Sequence, residues 1–388
     1  MSTLIEVPAG LAGVAVADTA IGDVRGAEGF YHYRGVDATV LARTRTLEQV
    51  WSLLLDGDLG SADGEGGFAS RLRSDRLLPD GLVPVLGAVA AGDAGGDALT
   101  LLRTAVSAAG SALTLRPLWD GDEDSRRRDV VRVAALMPTL LAALHRLANG
   151  QDLVAPRDDL GHVAHYLYVL RGEPASAAHV EALSRYLIST VDHGFNASTF
   201  TARVVASTGA DAAATMVAGI AALSGPLHGG APSRVVQMLD DIGSIERTDQ
   251  WLADTLDRGE RLMGFGHAVY RGRDPRSELL RETVLGLVGS ADEHGRALVE
   301  LAVAVEQKAL AALAERRPDR PLMTNVEFYA GVLMDVIGLP RELFSATFAV
   351  ARAIGWSAHV LEQTRDRKIV RPAARYVGPQ PASANAVS

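Results

Sequence analysis

Two histidines occupy glycine-rich loops that chain reversal alone does not require. His228 lies within SGPLHGGAPSR (residues 224–234), and His267 closes the run MGFGH in MGFGHAVYRGRDPR (residues 263–276). Glycine in such loops lets backbone or ligand approach closely. Downstream of His267, Asp274-Pro275 reads as a helix N-cap followed by proline at the first helical position. That puts Arg276 in the first turn, where free backbone N–H groups already favour an anion. The competing reading for Arg276 is a solvated pair with Glu278 or Glu282. Glu327 lies in TNVEFYAG (residues 324–331). Thr324 and Glu327 match a capping box, so the expected role of this carboxylate is a helix cap. Near the C-terminus, Phe348 and Arg352 stand i, i+4 on one helix face. Arg371 precedes Pro372 and is expected to be extended. His193 belongs to a fifth dense segment, DHGFNASTFTAR (residues 192–203). His162 and His165 share a helix face but lack the acidic partner of a metal motif, so core or surface histidines are expected and no metal site.

Helical spacing recurs along the chain, whereas strand-like alternation is scarce. Val133, Leu136, Leu140 and Leu144 form one apolar face over residues 129–150, with Gly150 as a stop and a kink expected at Pro138. Residues 178–191 and 296–317 repeat the pattern, the latter ending in basic residues before Pro318. The fold class read from this pattern is mostly α. Residues 56–67 and 92–97 read as Gly/Asp-rich loops, residues 119–129 as a charged connection, and the tail 380–388 as disordered.

Composition narrows the function classes. Across 388 residues the formal net charge is −9, which disfavours nucleic acid and anionic membrane partners. An anionic substrate must therefore be held by a local cluster of arginines. The chain has no cysteine, which excludes disulfides and thiolate chemistry and fits a reducing, cytoplasmic setting. Residues 1–20 contain no Lys or Arg, unlike a signal or transit peptide. The longest weakly polar stretch, residues 212–227, is shorter than a membrane span and reads as a buried helix.

Taken together and in order, these segments resemble the citrate synthase family, as do GLAGVAVADTAIGDVRG (residues 10–26) and YRGVD (residues 33–37). The resemblance spans residues 10 to 379. It implies an all-α, two-domain fold: a large helical domain of residues 1–228 and 340–388, and a smaller closing domain of residues 229–339. It implies condensation of acetyl-CoA, or of propionyl-CoA to give 2-methylcitrate, with oxaloacetate, and no metal or redox cofactor. His228 matches the donor to the thioester oxygen, Glu327 the base, and His267 the group that polarises the ketone. His193, Arg276 and Arg352 match further oxaloacetate ligands, and Arg371 matches one donated across a homodimer. Gly264, Phe265, Gly266, Arg271 and Asn325 match the CoA site.

Two departures stand out. Glu327 occupies the place of the family's usual aspartate. An extra methylene moves a carboxylate by roughly 1 Å, and misplacement on that scale can cost about 10²-fold in rate. A backbone retreat is the expected compensation, since every other site residue is in place. Ala268 stands where many bacterial members carry arginine. The rival readings are a non-catalytic CoA- or dicarboxylate-binding protein of the same fold, supported by Glu327 alone, and a citryl-CoA lyase.

Overall fold

In the computed structural model, described for residues 5–60, 67–92, 97–228, 232–267, 269–319 and 322–379, sixteen α-helices carry the chain. A three-stranded antiparallel sheet (Gly22–Arg25, Phe30–Tyr33, Val36–Asp37) lies near the N-terminus. The mostly-α expectation holds. Helix starts follow the side chains available for capping: Asp37, Thr46, Asp122, Ser176, Asn196, Asp211, Asp274, Asp292 and Asn325 each accept a backbone N–H of the first turn. Gly57 and Gly172 end their helices in the left-handed conformation.

One boundary differs from expectation. The charged connection of residues 119–129 is in part helical, because Asp122 caps Ser125 and starts the helix Glu123–Ala148 there. That helix continues through Pro138. It is the one described helix long and apolar enough to cross a bilayer, and 78% of its apolar window is buried. The apolar helix Ala212–Leu223 also packs inside, as its composition indicates. The loop expectations for residues 61–66 and 93–96, the glycines Gly229 and Gly230, Ala268, and the tail 380–388 lie outside the described residues.

The helix Phe344–Asp366 is the axis of the core, buried along most of its length. It packs against Glu123–Ala148, Ala197–Ser207 and Ala212–Leu223. Trp51 reaches it through Nε1, which donates to Ser357 Oγ at 3.0 Å. Close backbone approach is used beside it: a Cβ on Gly219 would lie 2.9 Å from the Trp356 ring. His162 and His165 are buried core histidines, and burial and the charge of Arg76 push both down to about 3.

A second group of helices (Pro232–Ile242, Thr248–Asp257, Glu293–Arg316 and Val326–Val336) packs on itself. Pro275–Leu287 connects it to Ala177–Thr190 of the larger group. The closest seam is between Val326–Val336 and Pro232–Ile242 at Gly331. A Cβ there would fall inside contact distance of the Pro232 carbonyl oxygen and lie 3.2 Å from Val236 Cγ2. Gly331→Ala is accordingly expected to lower stability by roughly 1–2 kcal/mol. Overpacking against backbone outweighs the gain in helix propensity, which is up to about 1 kcal/mol. Thermal unfolding checks this, and an unchanged or raised Tm contradicts it.

Candidate active site

Two cavities meet between the two helix groups. One, of about 840 Å³, is lined by His193, Arg276 and Arg352. The other, of about 980 Å³, is lined by Gly264, Phe265, Arg234, Arg261 and Arg317. His228, His267, Asn325 and Glu327 line both, so the sequence-derived catalytic trio stands at the junction. Arg271 is exposed and lines neither cavity, and Arg371 is likewise exposed, in chain without regular secondary structure outside both.

His267 and Glu327 are registered by a short backbone zipper. Phe265 bridges Thr324, Gly266 N donates to Met323 O at 2.8 Å, and Asn325 N donates to Gly264 O at 2.8 Å. Asn325 Nδ2 adds a bond to Gly266 O at 2.8 Å. Gly264 has φ 82° and faces Phe328 so closely that a Cβ would lie 2.7 Å from the Phe328 Cβ, so this position requires glycine.

The capping-box expectation for Glu327 fails. Asn325, not Thr324, caps the helix, and its Oδ1 accepts the Glu327 amide at 3.0 Å. The capping work is done by an amide side chain one residue later, which leaves the Glu327 carboxylate without a hydrogen bond or ion pair among the described residues. Burial raises the Glu327 carboxyl above its usual 4.5, with Asp274 adding to the rise and Arg276 opposing it.

Arg276 does not pair with Glu278 or Glu282. Its Nε and Nη2 bond Asp274 at 2.9 and 2.8 Å, and both side chains are buried. Arg276 Nη2 also lies 3.1 Å from His267 Nε2. His267 Nδ1 accepts the Val269 and Tyr270 amides at 3.0 and 3.1 Å. Every neighbour of this neutral ring is a donor, and the two amides on Nδ1 outweigh the single Arg276 N–H near Nε2, which leaves the proton on Nε2. Two donors then converge on one point, which suits a carbonyl or carboxylate oxygen. Burial and the Arg276 charge push His267 down to about 4, keeping it a neutral donor at neutral pH.

His228 is set in the opposite tautomer. Its Nε2 accepts the Ser198 amide at 3.1 Å, the second N–H of the helix Ala197–Ser207, and lies 2.8 Å from the Ser198 hydroxyl. The proton is thereby left on Nδ1. Burial lowers its pKa, and so does Arg352. His193 completes the set: its Nε2 lies 3.0 Å from the Tyr270 hydroxyl, its ring stands edge-on to His267, and burial holds it well below its usual range.

Arg352 is buried, donates through Nε to Thr190 O at 3.0 Å, and lies over the Phe348 ring. No carboxylate among the described residues lies within ion-pair distance of it. A buried guanidinium so placed calls for an anion. Sequence reading missed Ser198, Tyr270 and the bonding role of Asp274. Asp274 was visible only as a cap, and Ser198 meets His228 through both its amide and its hydroxyl, a contact 30 residues apart in the chain that no local pattern announces.

Asp274 offers the sharpest stability test here. Asp274→Asn leaves Arg276 buried without its counter-charge, and removing one partner of such a pair costs roughly 3–5 kcal/mol. Denaturant unfolding is expected to show a loss of that order, and a loss under about 1 kcal/mol contradicts the assignment.

The chain has counterparts in sequence and fold among known proteins. Residues 10–373 match the family described as citrate synthase, C-terminal domain. A Mycobacterium bovis protein named "Putative citrate synthase 2" is 41% identical over 97% of this chain and 95% of its own. The crystal structure of citrate synthase from Pyrobaculum aerophilum superposes with a TM-score of 0.85 at 34% identity, over 95% of this chain and 92% of that one. A citrate synthase from Thermoplasma acidophilum, in ternary complex with carboxymethyl coenzyme A and oxaloacetate, superposes with a TM-score of 0.84 at 25% identity, over 96% of each chain. Sequence and fold agree, and the chain belongs to the citrate synthase family.

Proposed function

We propose that this protein condenses acetyl-CoA with oxaloacetate and water to give citrate and free CoA, with His228, His267 and Glu327 at the reacting atoms. The observation that carries the reading is the meeting of two cavities at these three side chains. Arg276, Arg352 and His193 hold the dicarboxylate in the first cavity, where bidentate guanidinium groups suit its carboxylates. The acyl-CoA enters from the second cavity past Gly264, Phe265, Gly266 and Asn325. Its Arg234, Arg261 and Arg317 supply positive charge for phosphates, with Arg271 on the adjoining surface.

The Glu327 carboxylate takes a proton from the thioester methyl group while His228 Nδ1–H hydrogen-bonds the thioester oxygen. A thioester α-proton is weakly acidic, so a fixed donor to the developing enolate is essential, and such a donor is worth roughly 10²–10³ in rate. The enolate carbon then bonds to the ketone carbon of oxaloacetate. His267 Nε2–H supports the ketone oxygen as it gains charge. Water finally cleaves the citryl thioester and CoA leaves. Asn325 binds the Glu327 amide and leaves its carboxylate free, which supports a base rather than a cap.

Residues 1–228 and 340–388 form the large domain, which supplies His193, His228 and Arg352. Residues 229–339 form the smaller one, which supplies His267, Arg276 and Glu327. Closure between them would exclude water before condensation. Arg371, exposed on this subunit, completes the site of the second subunit of a homodimer. The cysteine-free composition suits the cytoplasm. Propionyl-CoA serves as a second donor giving 2-methylcitrate, since one methylene changes binding by only about 1–3 kcal/mol.

Thiol release from acetyl-CoA and propionyl-CoA, with and without oxaloacetate, tests the reading. Release that depends on oxaloacetate is expected with both donors. The acid limb of kcat is expected to lie above pH 4.5, because the base must be ionised and burial raises its pKa. No release from a folded protein that binds oxaloacetate would leave the non-catalytic binder in its place.

A further inference from the structure

One face of the helix Phe344–Asp366 grips the loop that carries His193, residue against residue. Arg352, Gly355 and His359 stand at i, i+3 and i+7, on one face. Opposite them lie Thr190, Val191 and Asp192. Arg352 Nε donates to Thr190 O at 3.0 Å. A Cβ on Gly355 would fall inside contact distance of Val191 O, so only glycine lets helix and loop come this close. His359 Nε2 bonds Asp192 Oδ1 at 3.2 Å.

The His359 ring is itself oriented. Its Nδ1 lies 3.2 Å from Arg203 Nη1, and an arginine can only donate. The ring therefore carries its proton on Nε2 and gives it to Asp192. Arg203 is held by Glu362 at 2.5 Å and by Gln363 Oε1 at 2.9 Å, and Phe195 covers its guanidinium. The other Asp192 oxygen accepts the Gly194 amide at 3.3 Å, so the carboxylate spans His193 on both sides in the chain. Tyr33 fixes the Asp192 main chain, its hydroxyl donating to Asp192 O at 3.1 Å. Asp192, Arg203 and His359 are each buried to within 1% of complete.

We propose that His359 is a positioning residue: oriented by Arg203, it anchors Asp192 and thereby sets where His193 and Arg352 stand to receive the dicarboxylate. The inference rests on the functional reading above and adds to it a residue that touches no substrate. Asp192 also brings negative charge near Arg352, so the same anchor fixes the charge balance of the first cavity.

Two amide substitutions separate this role from general packing. The glutamine amide reaches about as far as His359 Nε2 and can still donate to Asp192. The asparagine amide reaches only as far as Nδ1, keeping the Arg203 contact and losing Asp192. His359→Asn is expected to raise the KM for oxaloacetate roughly tenfold or more, a size typical of ligand groups displaced by a fraction of an ångström. The KM for acetyl-CoA should stay within about twofold, and His359→Gln should remain close to wild type on both. Equal effects of the two substitutions on the oxaloacetate KM, or a fall in Tm with that KM unchanged, would overturn the proposal.

A second measurement needs no folded variant. The ¹⁵N spectrum of histidine-labelled wild-type protein, without substrate, should show His359 protonated on Nε2, and protonation on Nδ1 would overturn the proposal. This readout does not depend on turnover. Wild-type protein with the expected tautomer but no oxaloacetate-dependent thiol release would overturn the functional reading and, with it, the link from His359 to the dicarboxylate.

Discussion

The Asp274 carboxylate is where the geometry of this site is fixed. One oxygen accepts the Arg276 amide and Nε at 3.1 and 2.9 Å, and the other accepts Arg276 Nη2 and the Val326 amide at 2.8 and 3.1 Å. A single buried anion thus caps its own helix, orients the arginine and holds the first amide of the helix that carries Glu327. Arg276 in turn lies against His267 and Tyr270. Glu327, His267 and Arg276 are therefore tied to one group, and shifts in any of them are coupled. Four donors on one carboxylate also explain how so deeply buried a charge is tolerated.

His228 and His267 show how main-chain amides can set the tautomer of a ring. Loop amides from Val269 and Tyr270 hold His267 Nδ1 as an acceptor, and a helix-terminal amide from Ser198 does the same for His228 Nε2. Opposite ring nitrogens are left as donors on two residues that both line the cavity junction. Burial and neighbouring arginines keep both rings neutral, so neither acts as a strong acid. The arrangement suits stabilising developing oxyanions while a single carboxylate moves the proton.

Much of this was legible in the sequence, for definable reasons. Apolar periodicity revealed the helices because each buries one face, and Asp274-Pro275 revealed a helix start because capping is local. At the junction the two histidines stood out by type and by surrounding glycine, while Glu327 and Asn325 were singled out only by the family resemblance. Glu327 misled, since Thr324 and Glu327 satisfy a capping pattern while Asn325 takes the cap in three dimensions. The helix start at Glu123 was hidden among charges that also suit a loop. The zipper between Gly264 and Asn325, and the grip of His359 on Asp192, join residues far apart in the chain, and no local pattern encodes such contacts.

The central claim is that Glu327 and His228 together generate an enolate from the thioester. Exchange of the acetyl-CoA methyl protons into deuterated water, followed by NMR with malate in place of oxaloacetate, measures that step without condensation. Wild-type protein is expected to exchange, with Glu327→Gln and His228→Ala each slower by on the order of 100-fold. Exchange that survives in Glu327→Gln, or its absence in wild-type protein with both ligands bound, would contradict the account.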